Sequence, residues 1–176
     1  MSNSNNPCVL WFFGLSGSGK STLSTLLFER LKSQGYAVFC IDGDQLRNGL
    51  NQDLGFSSQD RMENIRRAAE LAKLLSSNYN IVLASFITPE EVHRNKVREL
   101  IGDAVKFIFV DADLETCRSR DPKGLYQRAH SEAISDFTGI SAPFERPNHA
   151  DLVLDTAKNN EDDCLEQLLE TFSLGK

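Results

Sequence analysis

The feature that most constrains this chain is a glycine-rich loop that follows a short apolar run. Residues 9–22 read VLWFFGLSGSGKST, and the loop matches Gly-x-x-x-x-Gly-Lys followed by Ser or Thr at Gly14, Gly19, Lys20 and Ser21. In a phosphate-binding loop the glycines let backbone N–H groups turn toward phosphate oxygens, the lysine reaches the β- and γ-phosphates, and the hydroxyl binds Mg²⁺. A helix after the loop would direct its positive end at the anion. A strand before and a helix after favour this interpretation over a chance turn rich in Gly and Ser.

The charge of the chain limits what else it binds. A formal net charge of −6 argues against a general binder of nucleic acid or of acidic membranes. An anionic ligand must therefore be held by a local cluster of basic side chains. The 176 residues fit one domain, which we predict over residues 7–176 after a disordered start at residues 1–6.

The cysteines and the first residues indicate the cellular compartment in which the protein works. Cys8, Cys40, Cys117 and Cys164 are widely spaced without a Cys-x-x-Cys pair, so we expect free thiols and neither a zinc site nor disulfides. The start MSNSNNP lacks the layout of a signal peptide, and no apolar run approaches the roughly 20 residues of a membrane span. We predict a cytoplasmic protein with no membrane partner.

Short apolar runs alternate with helical patterns along the chain. The runs are predicted strands at residues 9–13, 37–41, 81–87, 105–110 and 150–154, and the main helical patterns begin after Lys20 and cover residues 61–77, 114–120 and 162–172. Nearly continuous apolar strands between helices predict a parallel sheet covered on both faces.

Carboxylates follow the second predicted strand directly. Asp42 and Asp44 flank a glycine there, and packing alone explains them poorly, although a surface turn is the alternative. Beside a phosphate loop, such an acid suits a Mg²⁺ partner or a catalytic base. Because ligands of parallel sheets bind at the carboxyl ends of the strands, we expect the loop, these acids and residues 85–88 to share one rim.

Two further segments carry expectations. Thr88-Pro89-Glu90-Glu91 reads as a helix start, with Thr88 as the N-cap and the acids in the first turn. Residues 121–147 lack a regular hydrophobic period, and irregular segments of this length are often functional lids.

Three arginines, Arg61, Arg66 and Arg67, lie at the start of the predicted helix at residues 61–77. At least one should be solvated, whereas another is suited to binding an anionic ligand.

Several stretches resemble the adenylylsulfate kinases, which phosphorylate the 3′-hydroxyl of adenosine 5′-phosphosulfate (APS) with ATP. The similar stretches are GLSGSGKST at residues 14–22, DGDQLRNGLNQDLGF at 42–56, DRMENIRR at 60–67, DPKGLY at 121–126, FTGI at 137–140 and LDT at 154–156. The resemblance implies a P-loop NTPase three-layer sandwich with a central, mainly parallel five-stranded sheet, a mobile lid over about residues 121–147, and a homodimer.

The resemblance also implies roles for single residues. ATP would be held by the whole loop, Gly14, Leu15, Ser16, Gly17, Ser18, Gly19, Lys20, Ser21 and Thr22. The acceptor would be held by Asp42, Arg47, Phe56, Arg61, Asn64, Ile87, Lys123 and Phe137, with the two phenylalanines sandwiching its adenine. The catalytic residues would be Lys20, Asp44 and Lys123, with Asp44 as the base or Mg²⁺-linked acid and with Ser21 and Asp44 as metal ligands.

The chain departs from the family pattern near the predicted acceptor site. Relatives usually read Phe-Ile-Ser-Pro followed by an aromatic residue or His and an Arg, whereas this chain places Thr88, Glu90 and Glu91 there. Two acids would disfavour a sulfated nucleotide, which leaves open a related kinase acting on another nucleotide, such as a cytidine diphosphoramidate. The alternative is that the acids only complement the helix dipole. QRAHSEAI at residues 127–134 is also less basic than the lid of relatives.

Two other functional classes are less compatible with the sequence. A GTP-dependent switch protein would carry Asn-Lys-x-Asp, but Asn95-Lys96, the only Asn-Lys pair, is followed by Val97-Arg98. A binding module without catalysis would not need the intact Lys20, Ser21 and Asp44.

Overall fold

A computed structural model describes residues 8–121, 124–130 and 138–175 of the chain. The strands are β1 (Cys8–Phe13), β2 (Val38–Asp42), β3 (Ile81–Ser85), β4 (Val105–Asp111) and β5 (Leu152–Asp155). The helices are α1 (Lys20–Ser33), α2 (Gly43–Arg47), α3 (Ser58–Ser76), α4 (Glu91–Ile101), α5 (Leu114–Arg120), α6 (Leu125–His130) and α7 (Glu161–Thr171), with a short 3₁₀ turn at Gly102–Ala104. The predicted disordered start at residues 1–6 lies outside the described residues.

The strands form one parallel sheet in the order β2-β3-β1-β4-β5. Phe12 pairs with Ser85, and Ser85 pairs with Asp42, so the ends of β1, β3 and β2 lie level. Every strand therefore presents its carboxyl end at the same edge, and the chain leaves the central strand β1 directly into the phosphate loop. This confirms the predicted sheet and its shared rim.

Helices cover both faces of the sheet, which explains why the strands are apolar throughout. Side chains alternate along β1: Trp11 and Phe13 belong to the core beneath α3 and α4, whereas Leu10 and Phe12 belong to the core beneath α1 and α7. All four are fully buried. The phosphate loop is thus held by a strand that is packed on both sides.

The helix α6 lies within the segment that the sequence presents as irregular. It has only six residues, too few for a periodic pattern, and the Asp121 carboxylate accepts hydrogen bonds from the N–H groups of Tyr126 and Gln127. A local hydrogen-bonded contact with Asp121, and not periodicity, marks the start of this helix. Residues 122–123 and 131–137 of the predicted lid lie outside the described residues.

The four cysteines are free, as predicted, with Cys117 and Cys164 buried and Cys8 and Cys40 half-buried. Burial raises the pKa of the Cys8 and Cys40 thiols to about 11, so neither is an activated nucleophile. No described helix is both long and apolar enough to cross a membrane.

Candidate active site

The phosphate loop has a conformation that requires glycine at two positions. Gly14 has φ 148°, and a Cβ there would lie 2.4 Å from the Val110 carbonyl oxygen. Gly17 has φ 77°, and a Cβ there would lie 2.8 Å from the Cys117 carbonyl oxygen. The loop therefore passes close to the backbone at the end of β4 and at α5, and a larger residue at either glycine would displace it.

Four consecutive carbonyl oxygens of the loop accept hydrogen bonds from side chains. The contacts are Lys20 Nζ to Leu15 O at 2.6 Å, Tyr126 Oη to Ser16 O at 3.0 Å, Arg120 to Gly17 O at 3.5 Å and Thr156 Oγ1 to Ser18 O at 2.8 Å. Arg120 also donates to the carbonyl and hydroxyl oxygens of Thr156. The Gly14 N–H donates to Ile87 O and the Ser18 N–H to Leu15 O, and the other amide groups of the loop can face an anion, as a nest of N–H groups requires.

The loop contacts the end of β2 through Ser21. Its Oγ donates a 2.8 Å hydrogen bond to Asp42 Oδ2, and Asp42 Oδ1 accepts from the Asp44 N–H and so caps α2. Hydroxyl and carboxylate oxygens are the donors that Mg²⁺ prefers, and Mg²⁺ is commonly held by one or two such groups together with substrate phosphates. The predicted ligands were Ser21 and Asp44, but the carboxylate that contacts Ser21 is that of Asp42, while Asp44 lies exposed on the cavity wall.

The predicted acceptor end forms around Phe56. The Arg47 guanidinium lies 4.3 Å from the centre of the Phe56 ring, and that of Arg61 lies 5.8 Å from it. Arg61 Nε donates to Phe56 O, and Arg61 also donates to Thr138 Oγ1 at 2.8 Å. Both guanidinium groups therefore lie beside one ring, and burial and then the nearby charge of Arg61 lower the pKa of Arg47. Such an arrangement suits a multiply charged anion beside an aromatic ring.

The other arginines at the start of α3 are paired with acids. Arg66 and Arg67 both donate to Glu63, and Arg67 also forms two hydrogen bonds with Asp53. Of these three arginines, only Arg61 lines the cavity.

A cavity of about 830 Å³ extends from the phosphate loop to the predicted acceptor end around Phe56. The predicted residues that line it are Ser16, Gly17, Gly19, Lys20, Ser21, Thr22, Asp42, Asp44, Arg47, Phe56, Arg61, Asn64 and Ile87. Gly14, Leu15 and Ser18 do not line the cavity. The Gly14 N–H donates to the Ile87 carbonyl. Lys123 and Phe137 lie outside the described residues, so their predicted roles are untested.

The prediction that Thr88 caps a helix is wrong. Helix α4 begins at Glu91 with Glu90 as N-cap, and the Glu145 carboxylate accepts from the Glu91 N–H. Thr88 has φ 44°, and its buried Oγ1 accepts a 2.9 Å hydrogen bond from Trp11 Nε1. Because its hydroxyl is engaged in the core, it has no role at the helix start.

The two acids fit the helix-dipole alternative, because Glu90 is the N-cap of α4 and Glu91 lies in its first turn. Neither Glu90 nor Glu91 is among the described residues lining the cavity. Glu91 accepts from Arg94 Nε at 2.8 Å and from Arg98 at 2.9 Å. Burial alone would raise the pKa of the Glu91 carboxyl, but these hydrogen bonds outweigh it and hold the pKa below its ordinary value. The charge of Glu91 is thus compensated within α4 and is not directed at an acceptor.

Sequence reasoning missed several residues of the cavity and of the loop support. Arg120, Thr156 and Thr138 line the cavity, and Tyr126 supports the loop from behind. Arg120, Tyr126 and Thr156 lie in or next to stretches that carry the family resemblance, which is the one signal that marks them. Their hydrogen bonds to a loop about a hundred residues away leave no local pattern.

Comparison with known proteins identifies the family. Residues 6–155 match the family described as Adenylylsulphate kinase. The chain is 49% identical over 165 residues to an adenylyl-sulfate kinase of Marinobacter nauticus, covering 93% of this chain and 82% of that protein. It is 47% identical over 169 residues to one of Bacillus licheniformis, covering 96% and 86% respectively.

A solved structure agrees over nearly the whole length. The Mycobacterium tuberculosis APS kinase CysC in complex with AMPPNP and APS superposes with a TM-score of 0.92 at 40% identity, covering 96% of this chain and 98% of that one. Its fold is the P-loop kinase sandwich that the sequence predicts. The chain therefore belongs to the adenylylsulphate kinase family.

Proposed function

We propose that this protein transfers the γ-phosphoryl group of Mg·ATP to the 3′-hydroxyl of APS, giving 3′-phosphoadenylyl sulfate and ADP. The observation that carries the proposal is the cavity in which the phosphate loop faces the cluster of Arg47, Phe56 and Arg61. A nucleotide held at each end would place a donor phosphate and an acceptor hydroxyl in the same cavity. The two relatives described above are both named adenylyl-sulfate kinase, which supports the proposal.

The donor end assigns roles to the loop amides and to three side chains. The loop N–H groups and Lys20 would hold the phosphates of ATP, and Ser21 and Asp42 would hold Mg²⁺. The ion supplies positive charge that offsets the negative charge on the transferred group. Lys20 Nζ donates to the Leu15 carbonyl at 2.6 Å, and exchanging that neutral acceptor for a phosphate would pair the ammonium with an opposite charge.

The reaction needs one proton acceptor. The oxygen of the 3′-hydroxyl attacks the γ-phosphorus while the bond from that phosphorus to the β–γ bridging oxygen breaks. The hydroxyl proton moves to the carboxylate of Asp44, which is exposed on the cavity wall two residues after Asp42. Lys123 would add charge from the lid, and Phe137 would face Phe56 across the adenine; both roles remain proposals.

APS is the acceptor that the site favours over another nucleotide. The alternative acceptor was prompted by Glu90 and Glu91, whose charges would oppose a sulfated ligand. Arg94 and Arg98 compensate Glu91, and Arg47 and Arg61 supply two cations at the acceptor end. A strongly anionic acceptor is compatible with this balance even though the whole chain carries a net charge of −6.

A coupled assay of ADP release tests the proposal directly. The purified protein is given Mg·ATP with APS and, separately, with adenosine 5′-monophosphate and a set of cytidine and uridine diphosphates. Turnover should be found with APS and should be at least about a hundred-fold weaker with the others, since they lack one anionic group or the adenine. Absence of turnover with APS, or faster turnover with a cytidine nucleotide, would overturn the proposal.

Quaternary state and location are further proposals. We infer a homodimer in the cytoplasm, from the family resemblance and from the free thiols respectively. Light scattering should give a mass twice the 19.7 kDa of one chain. A monomer at assay concentration would contradict the first proposal.

A further inference from the structure

A buried pair of asparagines lies behind the acceptor end of the cavity. Asn51 is fully buried in the turn after α2, and Asn64 is 7% exposed in α3 and lines the cavity. Asn51 Nδ2 donates a 2.9 Å hydrogen bond to Asn64 Oδ1. Asn51 itself does not line the cavity, so any effect it has on a ligand must pass through Asn64.

The direction of this hydrogen bond decides which atom Asn64 presents to the cavity. Its Oδ1 is used by Asn51, and its Nδ2 forms no hydrogen bond within residues 8–121, 124–130 and 138–175 and is not sealed from solvent. Asn64 follows Arg61 by one helical turn, so the two side chains share a face of α3. Asn64 therefore presents its NH₂ group to the cavity on the same face of α3 as Arg61.

The opposite direction would be less favourable. Asn51 Oδ1 is buried without a hydrogen-bond partner among the described residues. Turning both amides over would satisfy that oxygen but would bury the two N–H groups of Asn51 without a partner, and unpaired N–H groups are tolerated less readily than unpaired carbonyl oxygens. It would also replace a donor beside Arg61 with an acceptor.

The backbone around Asn51 holds its side chain in place. The Asn51 N–H donates to Leu46 O at 2.8 Å, and its carbonyl accepts from the Leu54 N–H at 3.1 Å. The same turn includes the carbonyls of Leu54 and Gly55, to which Arg47 donates. One turn thus orients both Arg47 and, through Asn51, the amide of Asn64.

We propose that Asn51 is a positioning residue that fixes the Asn64 amide with its NH₂ group toward the acceptor, so that this wall selects hydrogen-bond acceptor atoms of an anionic nucleotide. The inference rests on the proposed function and deepens it, because it concerns recognition of the same acceptor. Asn64 touches the substrate, and Asn51 acts only through it.

Substituting Asn51→Asp tests the direction of the pair. An ionised aspartate accepts hydrogen bonds only, so Asn64 must turn its NH₂ toward residue 51 and present its oxygen to the acceptor. The KM for APS should rise about ten-fold or more while the KM for ATP changes little, and the melting temperature should fall because the variant buries a charge. Asn51→Ser, which shortens the side chain below bonding distance and buries no charge, should raise the KM for APS by a smaller factor.

A double-mutant cycle separates positioning from a general structural effect. The variants Asn64→Ala, Asn51→Ser and the double variant are compared by KM for APS and by melting temperature. If Asn51 acts through Asn64, adding Asn51→Ser to Asn64→Ala leaves the KM for APS within about two-fold. Independent factors that multiply, or Asn51 variants that alter both Michaelis constants equally, would overturn the inference.

The unmutated protein separates this inference from the proposed function. If it does not turn over APS, the proposed function fails. If it turns over APS normally and both Asn51 variants keep the KM for APS within about two-fold, only the positioning role fails.

Discussion

Arg94 is a charged residue with no exposed surface, and its partners define the backbone next to the acceptor end. Its guanidinium donates to Glu91 Oε2, to the Thr88 carbonyl and to the Glu145 carbonyl, and it lies 5.2 Å from the Phe13 ring centre. A buried charge is tolerated only when it is paired and hydrogen-bonded. Thr88 is thereby held at φ 44°, a conformation uncommon for a residue other than glycine.

Removal of Glu91 should destabilise the fold. Glu91→Ala leaves the buried Arg94 with two carbonyl acceptors but without its nearest opposite charge, and we expect unfolding free energy to fall by about 1–3 kcal/mol. Urea denaturation measures the loss. Glu99→Ala is the matched control, because Glu99 pairs with Lys96 on the exposed side of the same helix, and it should cost no more than about 0.5 kcal/mol. Equal losses in the two variants would contradict this account.

His93 should make stability depend on pH. It is 1% exposed, and burial lowers its pKa below the ordinary value of 6.5; Arg61 and Arg94 act in the same direction, whereas Glu90 and Glu145 oppose it. The unfolded chain therefore binds the proton first, so this contribution to stability is lost as pH falls below about 6.5. His93→Gln should flatten the fall in melting temperature between about pH 7.5 and about pH 5.5.

An exposed histidine provides the control for that measurement. His149→Gln alters a residue on the surface and should leave the pH dependence of the melting temperature as it is in the unmutated protein. If His93→Gln and His149→Gln gave the same profile, burial of His93 would not be its cause.

Among the elements, α6 and the phosphate loop are linked by the hydroxyl of Tyr126. A helix of six residues is not stable alone, and α6 is held by packing of Tyr126, 2% exposed, against Ala112 and Cys117. The Tyr126 hydroxyl donates to the Ser16 carbonyl 110 positions earlier. The element that follows the DPKG stretch is therefore part of the support of the loop.

Loss of that hydroxyl should weaken ATP binding specifically. Tyr126→Phe removes one of the four side-chain donors to the loop carbonyls, and we expect the KM for ATP to rise about three- to ten-fold with the KM for APS nearly unchanged. Initial rates at varied ATP and APS measure both constants. Tyr79→Phe, in the turn before β3 with its ring against Phe39, should change neither. Equal changes in both constants would place Tyr126 in general stability instead.

In the whole molecule, the sheet brings together the donor end and the acceptor end of the cavity, whose residues are far apart in the chain. The level ends of β1, β3 and β2 place Ser21 and Asp42 in contact at 2.8 Å, and α2 then carries Asp44 and Arg47 toward the cavity. The donor and acceptor ends meet because both follow parallel strands.

Asp44 should be needed for turnover but not for binding. Asp44→Ala removes the proposed proton acceptor, and we expect kcat to fall by about 10²–10⁴ while calorimetry still detects both nucleotides at similar affinity. Asp103→Ala, in the exposed turn after α4, is the control and should retain full activity. Near-normal turnover by an Asp44→Ala protein that binds both ligands would remove this residue from the mechanism.

Local patterns in the sequence are enough to predict the order of the strands and main helices, the parallel sheet, the phosphate loop and the acids after β2. Each depends on a pattern within about twenty residues: an apolar run, a helical period, or a loop with glycines at set positions. The family resemblance extended this to the acceptor residues Arg47, Phe56, Arg61 and Asn64, all of which line the cavity.

The partner that each polar group finds depends on how the elements pack in three dimensions. The Glu91 N–H at the start of α4 donates to the Glu145 carboxylate 54 positions later. The Thr88 hydroxyl accepts a hydrogen bond from Trp11, 77 positions earlier. Asn51 orients Asn64 across a turn, and Tyr126 supports the loop across most of the chain. A single hydrogen bond between distant residues leaves no periodic signal, because it depends on where the packed elements place two side chains and not on the residues beside them.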